Sequence, residues 1–216
     1  MGEAIRGRRE EVFIVSKVYP QNASRSGAVR ACDRSLDRLG IEAIDLYLLH
    51  WRGSVPLAET LDAFDRLRRT GKILSFGVSN FDTPDMEEAW NLGHGMEIAS
   101  NQILYNLMRR GPEHDLLPWC REHNVPVMAY SPVEQGRLPR NANLKKIAAG
   151  RNAGASQIAI AWLLAQPNVI VIPKAVELAH AEENRGAADI TLTADELAAL
   201  DTAFPRPKER KSLDML

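Results

Sequence analysis

Two side chains that end apolar runs are the first candidates for chemistry: Lys17 in SKVYP and His50 at the close of IDLYLLH. A strand-end lysine ordinarily just reaches solvent. Held beside a proton donor, its ammonium would instead lower that donor's pKa by charge proximity. As a free amine it would suit a Schiff-base aldolase. Alternation along the second run puts Ile44, Leu46, Leu48 and His50 on one face. A lone histidine there more often serves packing through a hydrogen bond than catalysis. The third candidate is Gly71–Phe81, GKILSFGVSNF. Its apolar run Ile73, Leu74, Phe76, Val78 has the length of a buried parallel strand. Gly77 lets another backbone or a ligand approach closely. Ser79 and Asn80 fall at the carboxyl end, where ligands sit in barrels of alternating strands and helices; an ordinary Ser-Asn turn is the plainer reading. Tyr130, in AYSP, reads without its neighbours as a core aromatic at a strand end.

The elements that must position these residues alternate regularly. Residues 1–10 read as the end of a helix closed by Gly7. Strands are expected at 11–18, 44–50, 73–78, 98–103, 126–130 and 169–172. Helices are expected at 26–39, closed by Gly40, from Leu57 to a stop at Gly71, at 84–92, at 112–123 and at 177–187. A long helix striped by Ile158, Ala161, Trp162 and Ala165 precedes the sixth strand. Thr193-x-x-Glu196 makes a capping box for a last helix with Leu197, Leu200 and Phe204. Residues 205–216 read as an irregular tail. Six strands alternating with helices call for a parallel sheet covered by helices. A closed eight-stranded barrel typically takes about 250 residues, and ten residues before the first strand hold no further unit. Pattern alone leaves an open six-stranded α/β sheet or an incomplete barrel.

The runs IDLYLLHW at 44–51, G-x-SN-F at 77–81, NQ at 101–102, AYSP at 129–132 and IPKAV at 172–176 come in the order and spacing of the aldo-keto reductases. From about Glu3 onward the chain resembles that family. The resemblance implies a (β/α)8 barrel lacking its first two strand–helix units, and reduction of small aldehydes or ketones with NADP(H), NAD(H) remaining possible. By it, Lys17 would tune a catalytic tyrosine and His50 would orient the substrate carbonyl. The tetrad's Asp and Tyr have no counterpart here, so the chain as written is expected to be impaired or to act as a non-catalytic nucleotide-binding or partner-binding module. Tyr19 faces the same way as Lys17 but would put its oxygen on the wrong side. Ser79, Asn80 and Gln102 would hold the nicotinamide carboxamide, a group with one acceptor and two donors. Tyr130 would stack on the ring, and Ser131 would begin the turn toward the pyrophosphate. Lys174 would pair with the 2′-phosphate, and Glu183 and Asn184 would lie near the adenine. Ala175 and His180 depart from the pattern, which has a hydroxyl and an arginine there; an imidazole lacks the guanidinium's bidentate grip. Trp51, Tyr105 and Met108 read equally as an apolar wall of the substrate site or as plain packing.

Composition bounds the remaining classes. The chain has 216 residues, 45% hydrophobic and 25% charged, at net charge −1, which is ordinary for one globular domain. Near-neutral charge argues against a broad footprint for nucleic acid or anionic membrane. Cys32 and Cys120 lack partners at metal-ligand spacing and read as reduced thiols of a cytoplasmic protein. The start has too short an apolar run for a signal peptide, and no segment approaches a membrane span. A barrel short of two strands would expose the strands at 11–18 and 169–172, and such Val/Ile-rich edges invite self-association.

Overall fold

A computed structural model describes residues 1–216. Six strands form one sheet in chain order: β1 (Val15–Val18), β2 (Ile44–Leu49), β3 (Ile73–Ser79), β4 (Ile98–Leu104), β5 (Val127–Tyr130) and β6 (Val169–Ile172). The pairs β1/β2, β2/β3 and β5/β6 are parallel. The chain divides into two compact units, Met1–Asn101 and Gln102–Leu216.

In the first unit, α1 (Arg25–Leu39) and α2 (Leu57–Arg69) follow β1 and β2. Ser24 caps α1 by accepting from the Gly27 N–H, and Gly40 ends it at φ 66°, a conformation that costs glycine no Cβ clash. The buried face of α2 includes Leu57, Leu61, Phe64 and Leu67, the spacing of one helical stripe. The Phe64 ring meets Tyr47 of β2 at 5.6 Å and Phe76 of β3 at 5.7 Å. All six residues of β2 are buried, because α2 seals one face while Leu46 and Leu48 fill the other. A Cβ on Gly77 would stand 2.4 Å from the Ser100 carbonyl oxygen, so the close approach expected there is a backbone. α3 (Thr83–Trp90) is capped by Asp82.

The first strand is shorter than expected. Ile14 N–H donates to the Asp45 carboxylate at 2.7 Å instead of to a backbone carbonyl, and Arg9 holds the same carboxylate at 2.7 Å. The ladder therefore starts at Val15, and Arg9–Glu11 form a 3-10 turn. Residues 2–7 make turns and no regular helix, closed by Gly7 at φ 76°.

In the second unit, α4 (Leu116–Glu122) precedes β5, α5 (Ala142–Ala149) and α6 (Ala155–Leu164) precede β6, and α7 (Leu178–Gly186) and α8 (Ala194–Ala203) follow it. The helix expected from Ile158, Ala161, Trp162 and Ala165 is α6, ten residues long with Ala165 as its C-cap, and α5 before it was not expected. Trp162 of α6 is enclosed, its ring 5.6 Å from Tyr105 and 5.0 Å from the Arg110 guanidinium carbon. Thr193 and Glu196 form the expected capping box on α8. No helix or strand occurs in residues 205–216.

Candidate active site and cofactor-binding residues

In the first unit, Lys17 lies opposite Leu48 in the β1/β2 register, and the His50 N–H donates to the Val18 carbonyl at 3.0 Å. Two residues on from Leu48, His50 shares its face, so Lys17 and His50 point the same way at the carboxyl ends of adjacent strands. Each feels the enclosure. Burial pulls the Lys17 ammonium below the ordinary lysine range. Burial, then the charge of Lys17, lowers His50. The Tyr19 ring stacks on His50 at 5.1 Å and 22°, and Trp51 stands against His50 at 4.7 Å. This aromatic group is half open: Tyr19 is 50% exposed and Trp51 37%.

At the end of β3, Asn80 takes a left-handed conformation, φ 57°, which asparagine tolerates better than most residues. Its side-chain amide donates to the His50 carbonyl at 3.0 Å and to Ser79 Oγ at 3.3 Å. The Asn80 side chain thereby ties the end of β3 to the end of β2. Ser79 is fully buried. Asn101, which sequence reasoning read only as part of the NQ motif, donates to the Phe81 carbonyl at 2.8 Å, while its buried Oδ1 has no partner. Such an orphan acceptor costs free energy unless something satisfies it.

In the second unit, Gln102 is buried, with Nε2 3.9 Å from Met128 Sδ. Tyr130 ends β5 half-buried. Burial raises its phenol pKa, a Leu216 backbone hydrogen bond opposes that, and the Asp214 and Glu134 carboxylates add to the rise. Ser131 has φ 50°, and its carbonyl accepts from Asn106 Nδ2 at 2.9 Å. The turn beyond is held by Glu134, a fully buried carboxylate at φ 48°. It accepts from Asn106 at 2.7 Å, from Arg137 at 2.8 Å and twice from Arg109, at 3.0 and 2.9 Å. Burial alone would raise Glu134, but Arg109, Asn106 and Arg137 outweigh it and hold the carboxyl below its usual range.

Tyr105 is fully enclosed, its hydroxyl donating to Glu113 at 3.0 Å, the packing arrangement of its two readings. Met108 is 50% exposed. Lys174 and His180 are exposed. Glu183 fills the space over Gly154, where an added Cβ would come 2.1 Å from its Oε1. Asn184 lines a cleft of about 490 Å³ with Ile160, Leu164, Val171, Ala175 and Arg185.

Residues 1–204 match the Aldo/keto reductase family. Methylglyoxal reductase YeaE of Escherichia coli (strain K12) is 48% identical over 221 residues, covering 100% of this chain and 78% of the relative. Glyoxal reductase of Bacillus subtilis (strain 168) is 33% identical, over 89% of this chain and 68% of the relative. A crystal structure of an aldo/keto reductase from Klebsiella pneumoniae in complex with NADP and acetate superposes with a TM-score of 0.98 at 46% identity, covering 100% of this chain and 78% of that one. The chain belongs to the aldo/keto reductase family. It contributes six parallel strands of that family's barrel fold and spans 68–78% of these relatives' length.

Proposed function

We propose that this chain binds NADP(H) and belongs to an enzyme that reduces small aldehydes and ketones, 2-oxoaldehydes of the methylglyoxal type foremost. The observation that carries this reading is the alignment of Lys17 and His50 on one face at adjacent strand ends, with Asn80 bound to the His50 carbonyl. Within each unit the donor chemistry suits a nicotinamide nucleotide: a hydroxyl–amide pair at Ser79 and Asn80 in the first, and a buried amide at Gln102 with an aromatic at Tyr130 in the second. The apolar cleft beside Ala175 and Asn184 has the volume of a small-ligand pocket and suits an adenine edge. Lys174 supplies the charge that favours a 2′-phosphate. Preference over NAD(H) rests on it, since Ala175 and His180 add neither hydroxyl nor guanidinium. The relatives named for methylglyoxal and glyoxal reduction support the substrate class.

A bound nicotinamide supplies the hydride. His50, with its pKa lowered, presents a neutral imidazole whose N–H donates to the carbonyl oxygen, and Trp51 with Tyr19 shields it from water. Lys17 sets the field that a proton donor would feel. Residues 1–216 offer no Asp and Tyr matching the other two tetrad positions. The 216-residue polypeptide alone should therefore reduce a reactive aldehyde at background rate while binding NADPH. Joining an upstream segment that carries both groups should restore turnover, which Lys17→Met and His50→Ala then diminish. Full turnover by the polypeptide alone, lost in Tyr19→Phe, would overturn this and make Tyr19, already stacked on His50, the proton donor. The free buried cysteines support a cytoplasmic setting, and no helix is long and apolar enough to cross a membrane.

We propose also that the edge strand β6, with Ile170 49% exposed, pairs with a second copy in the isolated polypeptide. A monomer in sedimentation at all concentrations would refute that.

A further inference from the structure

The segment after α8 has no regular structure, yet it is fastened repeatedly to one short stretch, Arg109–Asp115. The Phe204 carbonyl accepts from Arg110 at 2.6 Å, and the Pro207 carbonyl is bonded by His114. Arg210 pairs with Asp115 at 2.7 Å. The segment then turns back, and Asp214 meets Arg109 at 3.3 Å. Two residues further, the Leu216 backbone hydrogen-bonds the Tyr130 hydroxyl. Arg109 is the junction, since its remaining donors hold the buried Glu134 under the turn that follows Tyr130.

We propose that Asp214 is a positioning residue for Tyr130: through Arg109 it sets Leu216 where its N–H holds the Tyr130 hydroxyl, fixing the plane of that ring. This rests on the reading above, in which the Tyr130 face takes the nicotinamide. Tethering the hydroxyl end of a half-buried aromatic removes torsional freedom before a ligand arrives. The tether explains why an exposed ion pair joins an otherwise irregular segment, through Arg109, to the buried Glu134 carboxylate.

The test uses the whole chain labelled with 3-fluorotyrosine and no ligand. It has four tyrosines, and Tyr130→Phe assigns the fluorine resonance of interest. Asp214→Ala, and Leu216→Pro, which deletes the N–H, should each move or broaden that resonance and leave the other three in place. Asp214→Glu should restore it. An unmoved Tyr130 resonance in both variants overturns the proposal. In the second arm, Asp214→Ala should weaken NADPH by roughly two- to fivefold, the range of an exposed ion pair, and leave adenosine 2′,5′-bisphosphate unchanged. Equal weakening of both ligands would overturn the positioning role. If the unaltered chain binds no NADPH, the cofactor assignment fails instead, and the fluorine arm still decides whether Asp214 fixes Tyr130.

Discussion

The second strand and the sixth read alike as apolar runs, IDLYLL and VIVI, and end up in opposite surroundings. Every residue of β2 is buried, whereas no residue of β6 is fully so and Ile170 is 49% exposed. The helices beside them differ in the same sense. α2 has a stripe of buried residues, and α7 has none. Val176 and Leu178, between β6 and α7, are 83% and 73% exposed. Branched apolar residues decide that a segment becomes a strand, while the neighbour that packs on it decides how much that burial contributes.

The contrast breaks most directly under truncation. Phe64→Ala should cost about 3–5 kcal/mol, because it empties the space between Tyr47 and Phe76. Ile170→Ala should cost under about 1 kcal/mol, since half of that side chain already meets water. Urea denaturation of both variants gives the ranking, and a larger loss at Ile170 would mean that β6 is covered in solution. Gly77→Ala should fall between them, at roughly 1–3 kcal/mol, because its methyl meets a backbone oxygen that has no room to yield.

The same contrast governs what was legible beforehand. Elements announced by local chemistry were readable: Gly40 and Gly71 as helix stops, Thr193 and Glu196 as a capping box, and all six apolar strands. α5 was missed although Asn141 caps it by accepting from Asn143 and Leu144, because its buried face is little more than Leu144 and Ala148. Tyr105 stayed undecided because a tyrosine after a strand looks alike whether its hydroxyl meets Glu113 or a substrate. The Lys17 and His50 positions followed from strand periodicity joined to the family's order of motifs. The web of Arg109, Glu134 and Asp214 pairs residues 25 and 105 positions apart, and no local pattern marks such partners.

Cofactor preference sharpens the comparison at smaller scale. The proposed cleft beside α7 is apolar and the same for both nucleotides, so preference between them must come from charge at its rim. Lys174→Ala should therefore weaken NADPH several-fold more than NADH, and His180→Arg should shift preference toward NADPH by a charge-assisted contact. Fluorescence titration with both nucleotides separates these outcomes. Equal losses in Lys174→Ala would remove the lysine from the 2′-phosphate.

The smallest effect concerns α8, which a polar tie joins to the residues just after α5. The Glu196 carboxylate accepts from both Nε and Nη2 of Arg151, at 2.5 and 2.6 Å, and from the Thr193 N–H at 2.7 Å. Arg151 foremost, then Thr193, pulls its pKa from an ordinary 4.5 down to about 2. A carboxylate depressed in the folded state binds fewer protons there than in the unfolded chain, so its stabilisation is complete above about pH 4.5 and fades as pH falls toward about 2. Glu196→Gln should unfold at lower urea than the unaltered chain at neutral pH, by a margin in the lower range for partly exposed pairs. That margin should close as pH falls from about 4.5 to about 2, because only below the lower value is the carboxylate protonated in both states. Ile170→Ala changes no titrating group and should keep a constant margin across the same interval. A Glu196→Gln margin that stays equally flat would show that Arg151 contributes through packing of its stem and not through its charge.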